Sequence, residues 1–390
     1  MRYSSLTDRL MGEGGEAWAI HTRAENMKIA GHDVILLSVG DPDFDTPKNI
    51  VDTAVESLHD GRTHYTPSGG IHALRVAAAN YHQRQTAQLT GPENVVVVPG
   101  AQCGLFCAAM CLLEPGQNIL IPEPMYVTYE GVVGASGAQI IRLPLRPENN
   151  FQLDPDDVKK AITPSTQALL LNTPHNPTGA ITQRETLESI ASLAEKHGFW
   201  VLTDEVYADL TFDAEHVSPA SIPSLAPHCV TIYSLSKSYA MTGWRLGWVV
   251  GPETLTLHHE RLLGCMLYGS PTFIQDAAIA ALNSHETNVS HMRNEYRARR
   301  DVVCDYLSTV KGLGCHRPQA GMYVMLDIRK TGLSGKEFAN QLLDSELVSL
   351  LPGEGFGPSA AGHVRFSLCE NSSTLLEACR RLERFIRSMI

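Results

Sequence analysis

The sequence predicts an α/β fold, a mostly parallel seven-stranded sheet in a large domain with a smaller α+β domain beside it. Three observations predict it. Short apolar runs alternate with longer helical patterns between about residues 90 and 250. Polar side chains gather immediately after several of those runs. Near residue 285 the texture changes to long charged helical stretches with isolated strands.

The runs, in order, are "VVVV" (95–98), "NILI" (118–121), "QIIRL" (139–143), "ALLL" (168–171), "WVLT" (200–203), "VTIY" (230–233) and "GWVV" (247–250). Each is short, and most are uninterrupted by polar residues. That is how a strand reads when both of its faces are covered, as in a parallel sheet with helices on either side. Beyond residue 285, "HMRNEYRARRDVVCDYL" has the pattern of a long charged amphipathic helix. "MYVMLDI" (322–328) and "HVRFSL" (363–368) read as strands, and "TLLEACRRLERFIRSMI" closes the chain as a helix. The expected division is a large domain over residues 46–285 and a small one built from residues 1–45 and 286–390.

Composition narrows the function. The chain has 390 residues, 43% of them hydrophobic, enough for a large core and two domains. No run of apolar residues is long enough to span a bilayer, and "MRYSSLTDRLMGEGGEAW" shows no apolar signal segment. The nine cysteines follow no paired spacing, which favours a reduced, cytoplasmic protein. With 31 basic against 42 acidic residues, the net charge of −11 disfavours nucleic acid or an anionic membrane as partner. The same charge draws in a cationic substrate.

The polar clusters mark the site. "ALLLNTPHNPTG" carries its Asn and Pro just after a strand, "WVLTDEVY" ends at Asp204, Glu205 and Tyr207, and "VTIYSLSK" ends at Ser234, Ser236 and Lys237. "VVVVPGAQCG" ends in a glycine turn that leads into a helix. In open parallel sheets ligands bind beyond the carboxyl ends of the strands, so four polar strand ends describe one crevice. Within it, Lys237 lies among serines. An amine nucleophile needs such a neighbourhood, short of carboxylates and water, although an ordinary loop lysine is the alternative. Ser234 and Ser236 offer hydroxyls, Arg245 a planar fork, and the "PGAQ" turn backbone N–H groups, all suited to phosphate. An amine beside a phosphate cradle points to pyridoxal phosphate (PLP), carried as an imine on Lys237. That cofactor wants an acid at its ring nitrogen, for which Asp204 is placed, and a donor to its phenolic oxygen, for which Tyr207 and Asn176 are available.

In this order, "NTPHNPTG", "DEVY" and "SLSKSYAMTGWRLGW" resemble the class I/II aminotransferases of the fold-type I PLP-dependent enzymes. "VGDPDFDTP" (39–47), "HYTPSGG" (64–70), "EPMYVTY" (123–129), "LPGEGFGP" (351–358) and "HVRFSL" extend the resemblance from about residue 30 to the C-terminus. It implies that Lys237 bonds the cofactor and then shuttles the substrate proton. It implies that Asp204 pairs with the ring nitrogen, and that Tyr207 and Asn176 bond the phenolic oxygen. Ala101, Gln102, Ser234, Ser236 and Arg245 surround the phosphate, and Tyr126 stacks on the ring. Tyr65 reaches the neighbouring subunit's phosphate, which makes the enzyme a homodimer. Arg365 holds the substrate α-carboxylate as a bidentate pair with help from the Gly40 backbone, and Asn176 also faces the substrate. From the residues alone, Arg365 reads equally well as a surface residue of an edge strand.

Several stretches ("GAQCGLF", "EPMYVTYEGVVGASGA", "CMLYGSPTFIQDAA", "EGFGPSAAGH") resemble arginine–pyruvate transaminases more than aspartate or aromatic enzymes. Arginine as donor and pyruvate as acceptor are therefore the expected substrates. A desolvated guanidinium needs a carboxylate, and the expectation is that Glu354 and Glu16 lie near the pocket mouth with Trp18 stacking on the guanidinium plane. The alternatives are an aspartate-type or broad-specificity aminotransferase, and a PLP-dependent β-lyase of the same fold. An effector-sensing module is a third; it wants a helix-turn-helix extension for which "VGDPDF" at residue 39 leaves no room. Cys103, Cys107 and Cys111 recur every four residues on an apolar helix and read as a buried face, not a metal site. "GEGFG" (353–357) lacks the strand and helix context of a nucleotide loop. His258 and His259 read as a solvated helix end.

Overall fold

The computed structural model describes residues 3–10, 15 and 18–389. Its strands, in chain order, are β1 (Ile35–Leu36), β2 (Val95–Val98), β3 (Asn118–Glu123), β4 (Gln139–Pro144), β5 (Thr166–Asn172), β6 (Trp200–Asp204) and β7 (Cys229–Ser234). There follow β8 (Gly247–Val250), β9 (Gly314–His316), β10 (Tyr323–Asp327), β11 (Val348–Ser349), β12 (Leu351–Pro352) and β13 (His363–Ser367).

The seven apolar runs form one sheet in the order β2-β8-β7-β6-β5-β3-β4. Alternate side chains feed different cores, as a two-face strand requires. Val96 and Val98 pack with the helix Ala101–Leu112, while Val95 and Val97 pack with residues of the helices His72–Thr86 and Thr272–Asn283. Likewise Ala168 and Leu170 face one core, and Leu169 and Leu171 the other. Burying each such side chain contributes about 1.5–3 kcal/mol.

Two runs depart from the expected pattern. "QIIRL" is the edge strand β4, and its residues are mostly exposed or half-buried. "GWVV" is β8, antiparallel to both β2 and β7, whereas the sheet's other strand pairs run parallel. The reason lies in the connection. Residues 235–246 hold only the short helix Leu235–Ser238 and a single turn at Thr242–Trp244, too little for a crossover back across the sheet.

The remaining strands make a four-stranded sheet, β12-β13-β10-β9, antiparallel throughout. The expected long helix is His285–Leu307, and the closing one is Ser372–Arg387. N-terminal residues join this part: β1 pairs in parallel with β11, and Ile20 and Ala24 of the helix Ala19–Ile29 share a core with Met325, Leu343 and Phe356. The loop that follows β1 ties the two sheets together. Asp43 receives both guanidinium nitrogens of Arg299, at 2.6 and 2.9 Å, and Asp41 accepts from Thr242 at 2.7 Å.

Candidate active site

The carboxyl ends of β5, β6 and β7 and the start of the helix Ala101–Leu112 open into one cavity. Its lining includes Lys237, Asp204, Tyr207, Asn176, Ser234, Ser236, Arg245, Ala101, Gln102 and Tyr126, all picked from the sequence. The local chain explains the convergence. β7 ends in Ser234, whose hydroxyl caps the next turn by accepting from the Ser236 N–H at 3.1 Å. That turn delivers Lys237, and its Nζ donates to the Gly40 carbonyl at 2.6 Å.

Burial holds the Lys237 ammonium below the usual lysine range, offset partly by Cys369 and Asp41 nearby. An amine so placed spends more time unprotonated than a surface lysine. At the end of β6, burial pushes the Asp204 carboxyl up to about 6, even though Tyr129 donates to its Oδ2 at 2.7 Å. Burial likewise keeps Tyr207 neutral, with its hydroxyl 3.3 Å from Asn176 Nδ2 and 3.4 Å from the Tyr323 hydroxyl.

On another wall, Ser234, Ser236 and Arg245 face the N-terminus of the helix Ala101–Leu112, whose first N–H groups have no partners within the helix. Gly100 stands just before it with φ +81°, and a Cβ there would collide with the Arg245 guanidinium. The glycine lets the guanidinium lie against the helix start. Three donor types converging on one point form a cradle for a phosphate, so the residues present fit PLP.

Arg365 is not a surface residue of an edge strand. It sits in β13, flanked by β12 and β10, and is 2% exposed. Nη1 donates to Asn176 Oδ1 at 3.0 Å and Nη2 to the Ser38 carbonyl at 2.8 Å, while Nε is buried without a partner. Its guanidinium carbon lies 3.9 Å from the Tyr323 ring centroid and 5.0 Å from that of Phe356. Gly40 stands against Tyr323 so closely that any side chain there would overlap the phenol.

Other expectations meet a different outcome. Glu354 does not line the cavity. Its Oε1 accepts from the Gly335 N–H at 2.8 Å, at the start of the helix Gly335–Glu346, where a carboxylate is drawn by the free N–H groups and the helix dipole. It serves that helix start and lines a narrow crevice with Phe356 and with Tyr126, which also lines the cavity. Trp18 is half-buried against the same core as Tyr126, edge-on to His21, and also stands outside the lining. Glu16 lies outside the described residues. Tyr65 is 91% exposed and far from enclosed. Of the histidine pair, His258 is exposed but His259 is buried within the helix Glu253–Met266, its Nδ1 2.9 Å from the Leu255 carbonyl. Cys107 is buried and Cys103 and Cys111 half-buried on the helix Ala101–Leu112.

Some site residues were not singled out from sequence. Tyr129, at the start of the helix Tyr129–Ser136, holds Asp204 through its hydroxyl. Asn172 accepts from the Asn176 N–H at 2.7 Å and donates to the Asp204 carbonyl at 3.0 Å, setting the two neighbours in register. Asn172 closes a polar strand end, the same signal that marked Asp204. Tyr129 sits inside "EPMYVTY" but carries no separate signal.

Comparison with known proteins gives consistent results. Residues 32–382 match the family model for aminotransferase class I and II. The chain is 52% identical to the arginine–pyruvate transaminase AruH of Pseudomonas aeruginosa, over 98% of this chain and 97% of that one. It is 38% identical to an aspartate aminotransferase of Pyrococcus horikoshii, over 90% of each. Among solved structures, the aspartate aminotransferase of Thermus thermophilus with maleate superposes with a TM-score of 0.94, at 33% identity, covering 98% of this chain and 100% of that chain.

Proposed function

We infer, from the premise that this chain belongs to the class I and II aminotransferases, that it transfers an amino group from arginine to pyruvate in two half-reactions at the cavity around Lys237. The enzyme is PLP-dependent, as its family is. One observation carries the assignment of roles: a buried amine, a buried acid and a phosphate cradle stand at separate points of one cavity. When bound, the cofactor supplies a carbonyl carbon for amines and a ring whose positive nitrogen draws electrons from the substrate Cα.

The chain's own residues do the rest. Arg245, Ser234, Ser236 and the N–H groups of Ala101 and Gln102 would hold the phosphate. Asp204, kept in place by Tyr129, would supply the charge for the ring nitrogen. Tyr207 and Asn176 would donate to the phenolic oxygen, and Tyr126 would pack on the ring. Lys237 would hold the cofactor and move the proton at the substrate Cα. Arg365 grips the α-carboxylate with a fork already turned by Asn176 and Ser38, joined by the Gly40 N–H.

Replacing Arg365 by Lys keeps the charge and loses the fork. A bidentate charge-assisted pair is worth about 1.5–3 kcal/mol, so KM should rise by roughly 10- to 150-fold for all amino acids alike. Steady-state kinetics across a panel of donors checks this. A loss confined to one class of donor would place the carboxylate site elsewhere.

Arginine as donor rests on the similarity to AruH and on charge. Among the described residues, the basic side chains lining the cavity are Lys237 and Arg245, both assigned to the cofactor. Of the residues expected at the guanidinium, Glu354 serves a helix start, Trp18 stands outside the lining, and Glu16 lies outside the described residues. The similarity to aspartate aminotransferases keeps an aspartate-type enzyme as the second reading. Stopped-flow half-reactions with arginine, lysine, aspartate, alanine and phenylalanine decide between them. Arginine should convert the cofactor fastest; faster conversion by aspartate at equal concentration sinks the arginine reading and leaves the family intact. Release of ammonia without amino transfer would instead mark a β-lyase.

A homodimer completes the site in this reading. Tyr65 and Tyr268 pair their rings 5.9 Å apart while standing 91% and 67% exposed, an aromatic patch suited to a second copy. In that arrangement Tyr65 serves the neighbouring phosphate. We assign residues 46–285 to the cofactor-binding domain and residues 1–45 and 286–390 to the small one. No described helix is long and apolar enough to cross a membrane. Nine free cysteines fit a reducing cytoplasm.

A further inference from the structure

The helix that carries Lys237 is only four residues long, Leu235–Ser238. A single turn is unstable on its own, because nucleation costs more than its few hydrogen bonds return. The chain leaves it through Ala240, a residue in the left-handed region at φ +50°, which costs an L-residue about 1–2 kcal/mol. Something outside the turn must therefore hold it.

The holding groups lie outside the cavity lining. Asp209 is buried in the loop after β6 and receives three donors. The Tyr81 hydroxyl donates at 2.8 Å, the Ser238 hydroxyl donates to the same carboxylate, and His285 Nε2 lies 3.3 Å away. His285 opens the helix His285–Leu307, and its Nδ1 stands 2.6 Å from the Tyr239 hydroxyl. One ring thus bridges the Tyr239 hydroxyl and the Asp209 carboxylate. The two residues following Lys237 are thus both tied to one buried pair. Arg84 and Glu286 are the outer charges near it: Glu286 approaches His285 Nε2 at 3.8 Å, and Arg84 lies near the Tyr239 phenol. Burial opposes the charge on Asp209, but the bonds from His285, Ser238 and Tyr81 outweigh it, so the carboxyl sits below its usual range and stays ionised.

We propose that Asp209 and His285 act as a positioning pair, gripping Ser238 and Tyr239 so that Lys237 Nζ is aimed into the cavity and kept from water. The same loop supplies Tyr207 to the cavity and Asp209 to the turn, so acid, phenol and amine share one support. The proposal rests on Lys237 being the catalytic amine.

The test titrates Lys237 directly. Competitive acetylation of the full-length chain freed of cofactor, read by peptide mass spectrometry across pH, gives the midpoint for that lysine. A purely electrostatic role predicts that Asp209→Asn lowers the midpoint, because a nearby negative charge is removed. Positioning predicts the opposite, since a loosened turn lets water reach the amine. The expected result is a raised midpoint in Asp209→Asn and a smaller rise in Tyr239→Phe. In the loaded enzyme kcat should fall about 10- to 100-fold for Asp209→Asn, as for a misaimed group, while KM for arginine stays within about twofold. An unchanged or lowered midpoint overturns the proposal, and Tyr239→Phe decides alone if Asp209→Asn does not fold. Borohydride labelling of another lysine in the parent enzyme would overturn the assignment of Lys237 itself, a failure distinct from an unmoved midpoint.

Discussion

Lys237→Ala should bind PLP yet lose multiple turnover, with kcat reduced by about 10²–10⁴-fold from the missing proton transfer alone. Binding should survive because the phosphate cradle of Ser234, Ser236, Arg245 and the helix start does not involve the amine. The substitution also removes the donor to Gly40, leaving a carbonyl at the edge of a cavity where water replaces it at little cost. Borohydride reduction of the parent enzyme followed by peptide mapping checks the assignment. The label should sit on Lys237, and a label on any other lysine overturns it.

Asp204→Asn should move activity and stability in opposite directions. The carboxyl ionises near its usual 3.8 in the unfolded chain and at about 6 in the folded, cofactor-free protein, because burial disfavours its charge. The folded state therefore binds the proton more tightly. Stability from this group is fully present below about pH 4, falls as pH rises toward 6, and stays lost above it. The penalty at neutral pH is on the order of 3 kcal/mol, or about 4 °C for a chain of this size. Asparagine carries no charge and can still accept from Tyr129. The cofactor-free variant should thus melt higher than the parent at pH 8 and equally at pH 4. Its kcat should drop on the order of 10²–10³-fold, since the ring nitrogen loses its counter-charge. Calorimetry at both pH values with steady-state kinetics tests the pair of effects. A variant less stable at pH 8 would mean that Asp204 is satisfied by its neighbours without the cofactor.

How much of this was legible depended on what each residue touches. The seven strands announced themselves because both faces are buried, so "VVVV" and "ALLL" needed no polar residues. The direction of β8 was hidden, because "GWVV" looks the same whichever way it runs, and only its short connection to β7 decides. Site residues at strand ends were visible because a polar cluster after an apolar run is a local signal. Tyr129 was not, since its bond to Asp204 spans 75 residues of sequence. Asp209 and His285 stayed hidden for the same reason: their partnership with Tyr81, Ser238 and Tyr239 exists only once the chain has folded. The bond Glu354 makes was not legible, because a carboxylate in a glycine-rich turn looks alike whether it faces a substrate or a helix start. His259 misled through its neighbour, as an exposed and a buried ring stand side by side on one helix.

The reversed strand β8 has a consequence for how sequences of this kind can diverge. The chain leaves the sheet edge at Ser234, delivers Lys237, and returns to the same edge at Gly247, with Arg245 just before re-entry. Register on both sides is fixed by pairing, Ser234 opposite Gly247. The segment between is a ruler with both ends nailed down. Residue identities along it are free to drift where side chains face outward, but an inserted or deleted residue would slide the amine relative to the guanidinium. Insertions and deletions should therefore be purged from 235–246 even where substitutions are tolerated, and length, more than composition, is what descent must keep there.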